Sequence, residues 1–138
     1  MRVYLDSAAV IYLVENIAPW EAAVQAVLRR PGAVPQASLL TRLECRVLPL
    51  REGRTALLAD YDAFFTSLHG GLLGLDAAVF EKAAALRASL NLRTPDALHL
   101  AAAIVGGCDT FLTNDQTLQR CTEIHIETPA PAALRRRK

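Results

Sequence analysis

The chain has 138 residues, a formal net charge of +1, 52% apolar residues and 21% charged residues. Its length argues for one compact domain that buries roughly two-thirds of its unfolded surface, so folding needs neither a disulfide nor a structural metal. The composition excludes a disordered body, and the charge gives no whole-molecule pull toward nucleic acid or a membrane.

The cationic residues are almost all Arg, and several sit in two local groups. These are Arg42, Arg46, Arg51 and Arg54, and then Arg135, Arg136, Arg137 and Lys138. Arg suits forked contacts to phosphate, but each group taken alone reads as a solvated helix face or a soluble tail. Cys45, Cys108 and Cys121 form no C-x-x-C pair and leave an odd one out, which argues against a secreted disulfide framework or a zinc site. No basic segment leads into an apolar leader, and no apolar run is long enough to cross a bilayer. A reduced, cytoplasmic setting without membrane association is expected.

Arg2 to Leu5 reads as a short strand, followed by the helix-capping pair Asp6-Ser7 and a buried helix over Ala8 to Val14. Trp20 to Arg30 is a second helix, closed by Pro31-Gly32. Ala33 to Gln36 reads as another strand, with Pro35 limiting its hydrogen bonding. Ser38 caps a helix through Leu48, with Pro49 and Gly53 as stop signals, and Thr55 to His69 forms the second helix of a pair.

After the break at Gly70-Gly71, Leu72 to Leu75 reads as a buried strand, and Asp76 starts a helix with Val79, Phe80, Ala83, Leu86 and Leu90 as its inward stripe. Thr94 as N-cap, Pro95 at N1 and Asp96 in the first turn start an Ala-rich helix to about Val105. Thr110 to Thr113 is a strand, Asp115 caps a short helix and Glu123 to Glu127 alternates as an edge strand. Alternating strands and helices imply a parallel sheet covered on both faces.

Asp6 and Asp115 end strands, so both fall at the carboxyl rim where ligands of open α/β sheets collect. Asp96 opens a helix and Glu44 lies within one. Singly, Asp6, Asp96 and Asp115 each have a reading as cap or helix-dipole partner, and Glu44 as a surface acid. Held together, four carboxylates repel, and a divalent cation with hard-oxygen preference, Mg2+ or Mn2+, removes the conflict. Such an ion activates water and stabilises charge on a phosphodiester.

Arg42 and Arg46 lie two residues either side of Glu44 and so point away from it, leaving it without a close ion-pair partner on that face. His99, one turn after Asp96, could bind metal or act as a base, but on an Ala-rich packed helix it reads as a hydrogen-bonded core residue. Asp109 precedes its strand, roughly 20 Å from Asp115 at about 3.3 Å per residue, and is excluded.

The segments Val3 to Ser7, Ser38 to Glu44, Pro49 to Gly53, Thr94 to Ala101 and Cys108 to Asp115 resemble the PIN-domain ribonucleases, most closely the VapC-type toxins of toxin–antitoxin modules. The resemblance covers the chain except its basic tail. It implies a three-layer α/β/α sandwich with a short parallel sheet, a PIN-like nuclease domain over residues 1–128 and a frayed tail over 129–138.

It further implies a magnesium-dependent endoribonuclease whose site is Asp6, Glu44, Asp96 and Asp115. Asp6 and Asp96 would be direct ligands, with Glu44 and Asp115 acting through water or on a second ion. Thr113, Asn114 and Ser7 would support by hydrogen bonding. The implied products carry 5′-phosphate and 3′-hydroxyl ends. Implied partners are an RNA substrate, a second copy of the chain and a cognate VapB-like antitoxin whose basic residue reaches the acidic site; any DNA binding would belong to the antitoxin.

Three enzyme classes fit less well. An aspartate-nucleophile phosphatase needs a second acid where Ala8 stands, a receiver domain needs paired acids and a later Lys, and a P-loop protein needs a Gly-rich loop. The non-enzymatic alternative is a catalytically silent PIN-fold module that binds protein or RNA.

Overall fold

A computed structural model describes residues 1–131; the basic group Arg135 to Lys138 lies outside the described residues. Four strands, β1 (Arg2–Leu5), β2 (Val34–Gln36), β3 (Thr110–Leu112) and β4 (His125–Glu127), form a sheet in the order β2-β1-β3-β4. Every neighbouring pair is parallel, with Tyr4 opposite Gln36 on one side and Phe111 on the other. Pro35 is tolerated because β2 is an edge strand.

Side chains alternate across the sheet, and the alternation divides the core in two. Tyr4 and Phe111 join one apolar cluster with α5 (Ala77–Leu90) and α6 (Thr94–Val105). Val3, Leu5 and Leu112 join the other, with α1 (Ser7–Val14), α2 (Trp20–Leu28), α3 (Leu39–Arg51) and α4 (Thr55–Ser67). The expected α/β/α sandwich is therefore present.

Three local expectations are corrected. The helix capped by Ser38 does not stop before Pro49 but runs to Arg51, with Pro49 inside it and buried. Proline removes one helical N–H, yet Glu52 N still donates to Leu48 O at 3.0 Å, so the turn closes beyond it. Leu72 to Leu75 forms an isolated bridge rather than a strand, because its partner segment turns into α3 at Ser38. Thr94 is not a cap: the chain is already extended at Arg93, which occupies that position without a side-chain bond, and Thr94 is helical.

Arg42 and Arg46 both reach Asp62 on α4, at 3.6 and 3.0 Å, which is the solvated-face reading of that group. The three cysteines are free; burial pushes the Cys45 thiol up to about 12 and the Cys108 thiol to about 11, so neither is a thiolate at neutral pH. No helix among the described residues is long and apolar enough to cross a membrane. Pro129 and Pro131 are buried.

The edge strand β4 is tied to the turn after α2 by a forked pair, Arg30 Nη1 and Nη2 to the two oxygens of Glu127 at 2.8 and 2.5 Å. That contact holds the Glu127 carboxyl below the usual range. Its stabilisation is present above the ordinary Glu value and lost as pH falls through the depressed folded value. Arg30→Gln is expected to lower the melting temperature slightly at pH 7, and the gap to wild type should close in acid. Melting curves from pH 7 to below 4 check this; a gap that persists in acid counts against the pair.

Candidate functional site

The rim of the sheet collects residues because β1 and β3 are parallel neighbours and stop in register, Leu5 opposite Leu112. Beyond Leu5 comes Asp6, extended and capping α1, with Oδ1 accepting from Ala9 N at 2.9 Å. Beyond Leu112 come Thr113, Asn114 and Asp115, the last capping a 3-10 turn over Gln116–Arg120. α3 brings Glu44 from one side and the first turn of α6 brings Asp96 from the other. All seven residues singled out in the sequence, Asp6, Ser7, Glu44, Asp96, Thr113, Asn114 and Asp115, line one cleft of about 470 Å³.

Each acid already has company. Glu44 Oε1 accepts from Ser7 Oγ at 2.5 Å and from His99 Nε2 at 2.6 Å. The His99 bond is the main reason the Glu44 carboxyl is held below the usual range. The expectation that Glu44 lacks a close partner is thus corrected: Arg42 and Arg46 do point away, but the partner arrives from α6. Asp96 Oδ2 accepts from Arg93 Nε at 3.1 Å. Asp115 Oδ1 accepts from the backbone N–H and hydroxyl of Thr117 at 2.9 and 2.7 Å, which lowers its pKa.

Asp6 is different. Burial pushes its carboxyl above the ordinary range, against hydrogen bonds from Thr113 and Ala9, and nearby Glu44 pushes it further. Thr113 is buried, and its hydroxyl oxygen also accepts from Asp115 N at 3.0 Å, so one side chain touches both strand-end acids. Asn114 donates to the Tyr12 hydroxyl at 2.7 Å, while its buried Oδ1 has no partner among the described residues.

Among the described residues no three His, Cys, Asp or Glu side chains are gathered as a ready metal-ligand set. Three of the acids are instead engaged by local partners, Asp96 by Arg93, Glu44 by His99 and Asp115 by Thr117. Sequence reasoning missed Arg93, although its spacing of three from Asp96 on a helix start signals contact. It favoured His99 as a hydrogen-bonded core residue over a site residue, and His99 is buried and hydrogen-bonded, while the same ring also lines the cleft.

The PIN domain family model matches residues 3–123. The chain belongs to the PIN-domain family. Among solved structures, this PIN domain is similar to VapBC2 from Rickettsia felis bound to a promoter DNA fragment, at 16% identity and TM-score 0.76 over 93% of this chain and 98% of that one. It is also similar to DNA-bound VapBC from Salmonella typhimurium (18%, TM-score 0.75, 94% and 99%) and to VapBC-5 from Mycobacterium tuberculosis (21%, TM-score 0.61, 92% and 96%). At these identities the likeness is one of fold. Among curated proteins the chain has no significant match.

Proposed function

We propose that this PIN domain is a divalent-cation-dependent endoribonuclease, the toxin of a toxin–antitoxin pair, acting in the cytoplasm. The observation that carries the reading is the convergence of Asp6, Glu44, Asp96 and Asp115 on one cleft at the carboxyl ends of parallel strands. The residues fit a hydrated cation: the set is hard oxygen, Asp6 is an acid held in a buried setting against a second acid, and Asn114 Oδ1 lacks a partner among the described residues. When bound, Mg2+ or Mn2+ supplies water activation and charge neutralisation at the phosphodiester. Asp6 and Asp96 would hold it directly, Glu44 and Asp115 through water or on a second ion. Thr113 keeps Asp6 and Asp115 in register, and Ser7 orients Glu44.

RNA as substrate draws support from a second groove of about 290 Å³ that shares Arg93, Asp96 and Asp115 with the cleft and adds Arg120. Arg120 spends one N–H on Leu90 O at 3.1 Å, leaving the rest of its fork for a backbone phosphate. Arg120→Gln keeps a donor for Leu90 O but removes the charge. It should weaken binding of single-stranded RNA and reduce the salt slope by about 0.7; fluorescence anisotropy at several salt concentrations reads this, and an unchanged slope rejects the groove as a phosphate track.

The likeness to VapBC-5, a member of the VapBC family of toxin–antitoxin systems, supports an antitoxin partner for this chain, and a homodimer is proposed with it. The exposed apolar residues Leu39, Leu43, Val47, Leu48 and Leu50 of α3 are the kind of surface a partner chain covers. The competing reading, a catalytically silent module, draws on the fact that all four acids already have local hydrogen-bond partners. Incubation of a mixed RNA pool with Mg2+ or with excess chelator separates the two. Cleavage to 5′-phosphate ends only with the cation is expected; cleavage that persists in chelator overturns the cation mechanism, and none with either overturns the nuclease reading.

A further inference from the structure

Glu44 presents its carboxylate to the cleft under tight restraint. Both protein hydrogen bonds, from Ser7 Oγ and His99 Nε2, fall on Oε1; among the described residues none falls on Oε2. A carboxylate only accepts, so His99 must carry its proton on Nε2. In the neutral ring Nδ1 is then the acceptor, and it lies 2.7 Å from the Tyr4 hydroxyl. Tyr4 therefore donates to His99, and the Tyr4 oxygen accepts from Ser38 Oγ at 2.8 Å or Thr41 Oγ1 at 3.3 Å. Ser38 Oγ in turn accepts from Leu40 N and Thr41 N at the start of α3.

A directed chain thus leaves the N-terminus of α3, crosses β1 through Tyr4 and α6 through His99, and returns to Glu44 on α3. Its interior members Ser38, Thr41, Tyr4 and His99 are all buried, and burial keeps the Tyr4 phenol protonated by raising its pKa. Tyr4 is fixed independently by stacking on Phe111, ring centroids 5.0 Å apart. The imidazole consequently has one available orientation and one tautomer.

We infer that His99, backed by Tyr4, is a positioning residue for Glu44: it commits one carboxylate oxygen so that the other alone is offered to the cation. The inference rests on the cation reading above and adds to it which side chains set the geometry of the fourth acid. Partners of this kind outside a metal's own ligands are worth roughly 10–100-fold in affinity. A histidine that only filled the core would affect folding and leave cation affinity alone.

The two amide replacements separate these roles. In His99→Gln the amide nitrogen stands near the position of Nε2 and keeps the bond to Glu44. In His99→Asn the amide stands near Nδ1, where its oxygen accepts from Tyr4 and no donor reaches Glu44. Titration calorimetry with Mn2+ alone is expected to show affinity lowered about 10–100-fold in His99→Asn and largely retained in His99→Gln, with cation-free melting curves run beside it. Tyr4→Phe, which keeps the stack on Phe111, should give a smaller loss and serves where His99→Asn does not fold. Wild-type affinity in His99→Asn, or in Tyr4→Phe where it is the substitute, overturns the positioning role alone. Absence of Mn2+ binding by the wild type overturns the cation reading and this inference with it.

Discussion

Asp6→Asn is expected to lose RNA cleavage by more than the roughly 10–100-fold that removal of an outer partner costs, while melting no lower than wild type in cation-free buffer. Asparagine matches aspartate in size and caps helices equally well, so the Ala9 N–H keeps its acceptor. What disappears is a charge in a setting where burial, and then Glu44, raise its pKa. An acid whose folded pKa is raised contributes stability that is present below its unfolded value and lost as pH rises through the folded value. The advantage of the variant should therefore grow as pH rises through that folded value and shrink in acid. Added Mg2+ or Mn2+ should raise the melting temperature of the wild type and barely move the variant, since only binding to the native state stabilises. Retained cleavage by Asp6→Asn, or equal thermal gains with cation, would place the chemistry elsewhere in the molecule.

Much of the frame was legible because its signals are local. Val3-Tyr4-Leu5 reads as a strand and Asp6 as its end; the same logic at Phe111 and Asp115, with helices between, yields a parallel sheet and one shared rim. The site is legible to that extent: both strand-end acids have addresses in the sequence itself. Local rules failed where a distant contact decided. Pro49 reads as a stop because the missing N–H is visible in the sequence, whereas the burial that offsets its loss is not. Glu44 reads as unpartnered because spacing reports only its own helix; His99 approaches from 55 residues away. Thr94 reads as a cap because its residue type is right, yet the chain enters the helix one residue earlier at Arg93. That shift also brings the Arg93 guanidinium onto Asp96.

Phe111→Ala is expected to destabilise the protein by about 3–5 kcal/mol, the usual cost of deleting a buried aromatic ring. Total stabilities run to about 5–15 kcal/mol, so the loss should lower the melting temperature by roughly 10 °C or more. Phe111 is fully buried, opposite Tyr4 in the β1–β3 register, and stacked on it at an interplanar angle of 14°. Tyr4 and Leu100 share its cluster, with α5 and α6 closing over them. Denaturant melts with an unchanged slope would assign the effect to the native core, and a loss below about 1 kcal/mol would mean the neighbours had collapsed into the space. The variant should also weaken the hold on Glu44 at temperatures where it is still folded, because Tyr4 loses the surface that fixes its hydroxyl beneath His99. Phe111 lines the cleft as well as the core, so in a sheet of such short strands one ring supports both the packing of the sandwich and the geometry of its rim.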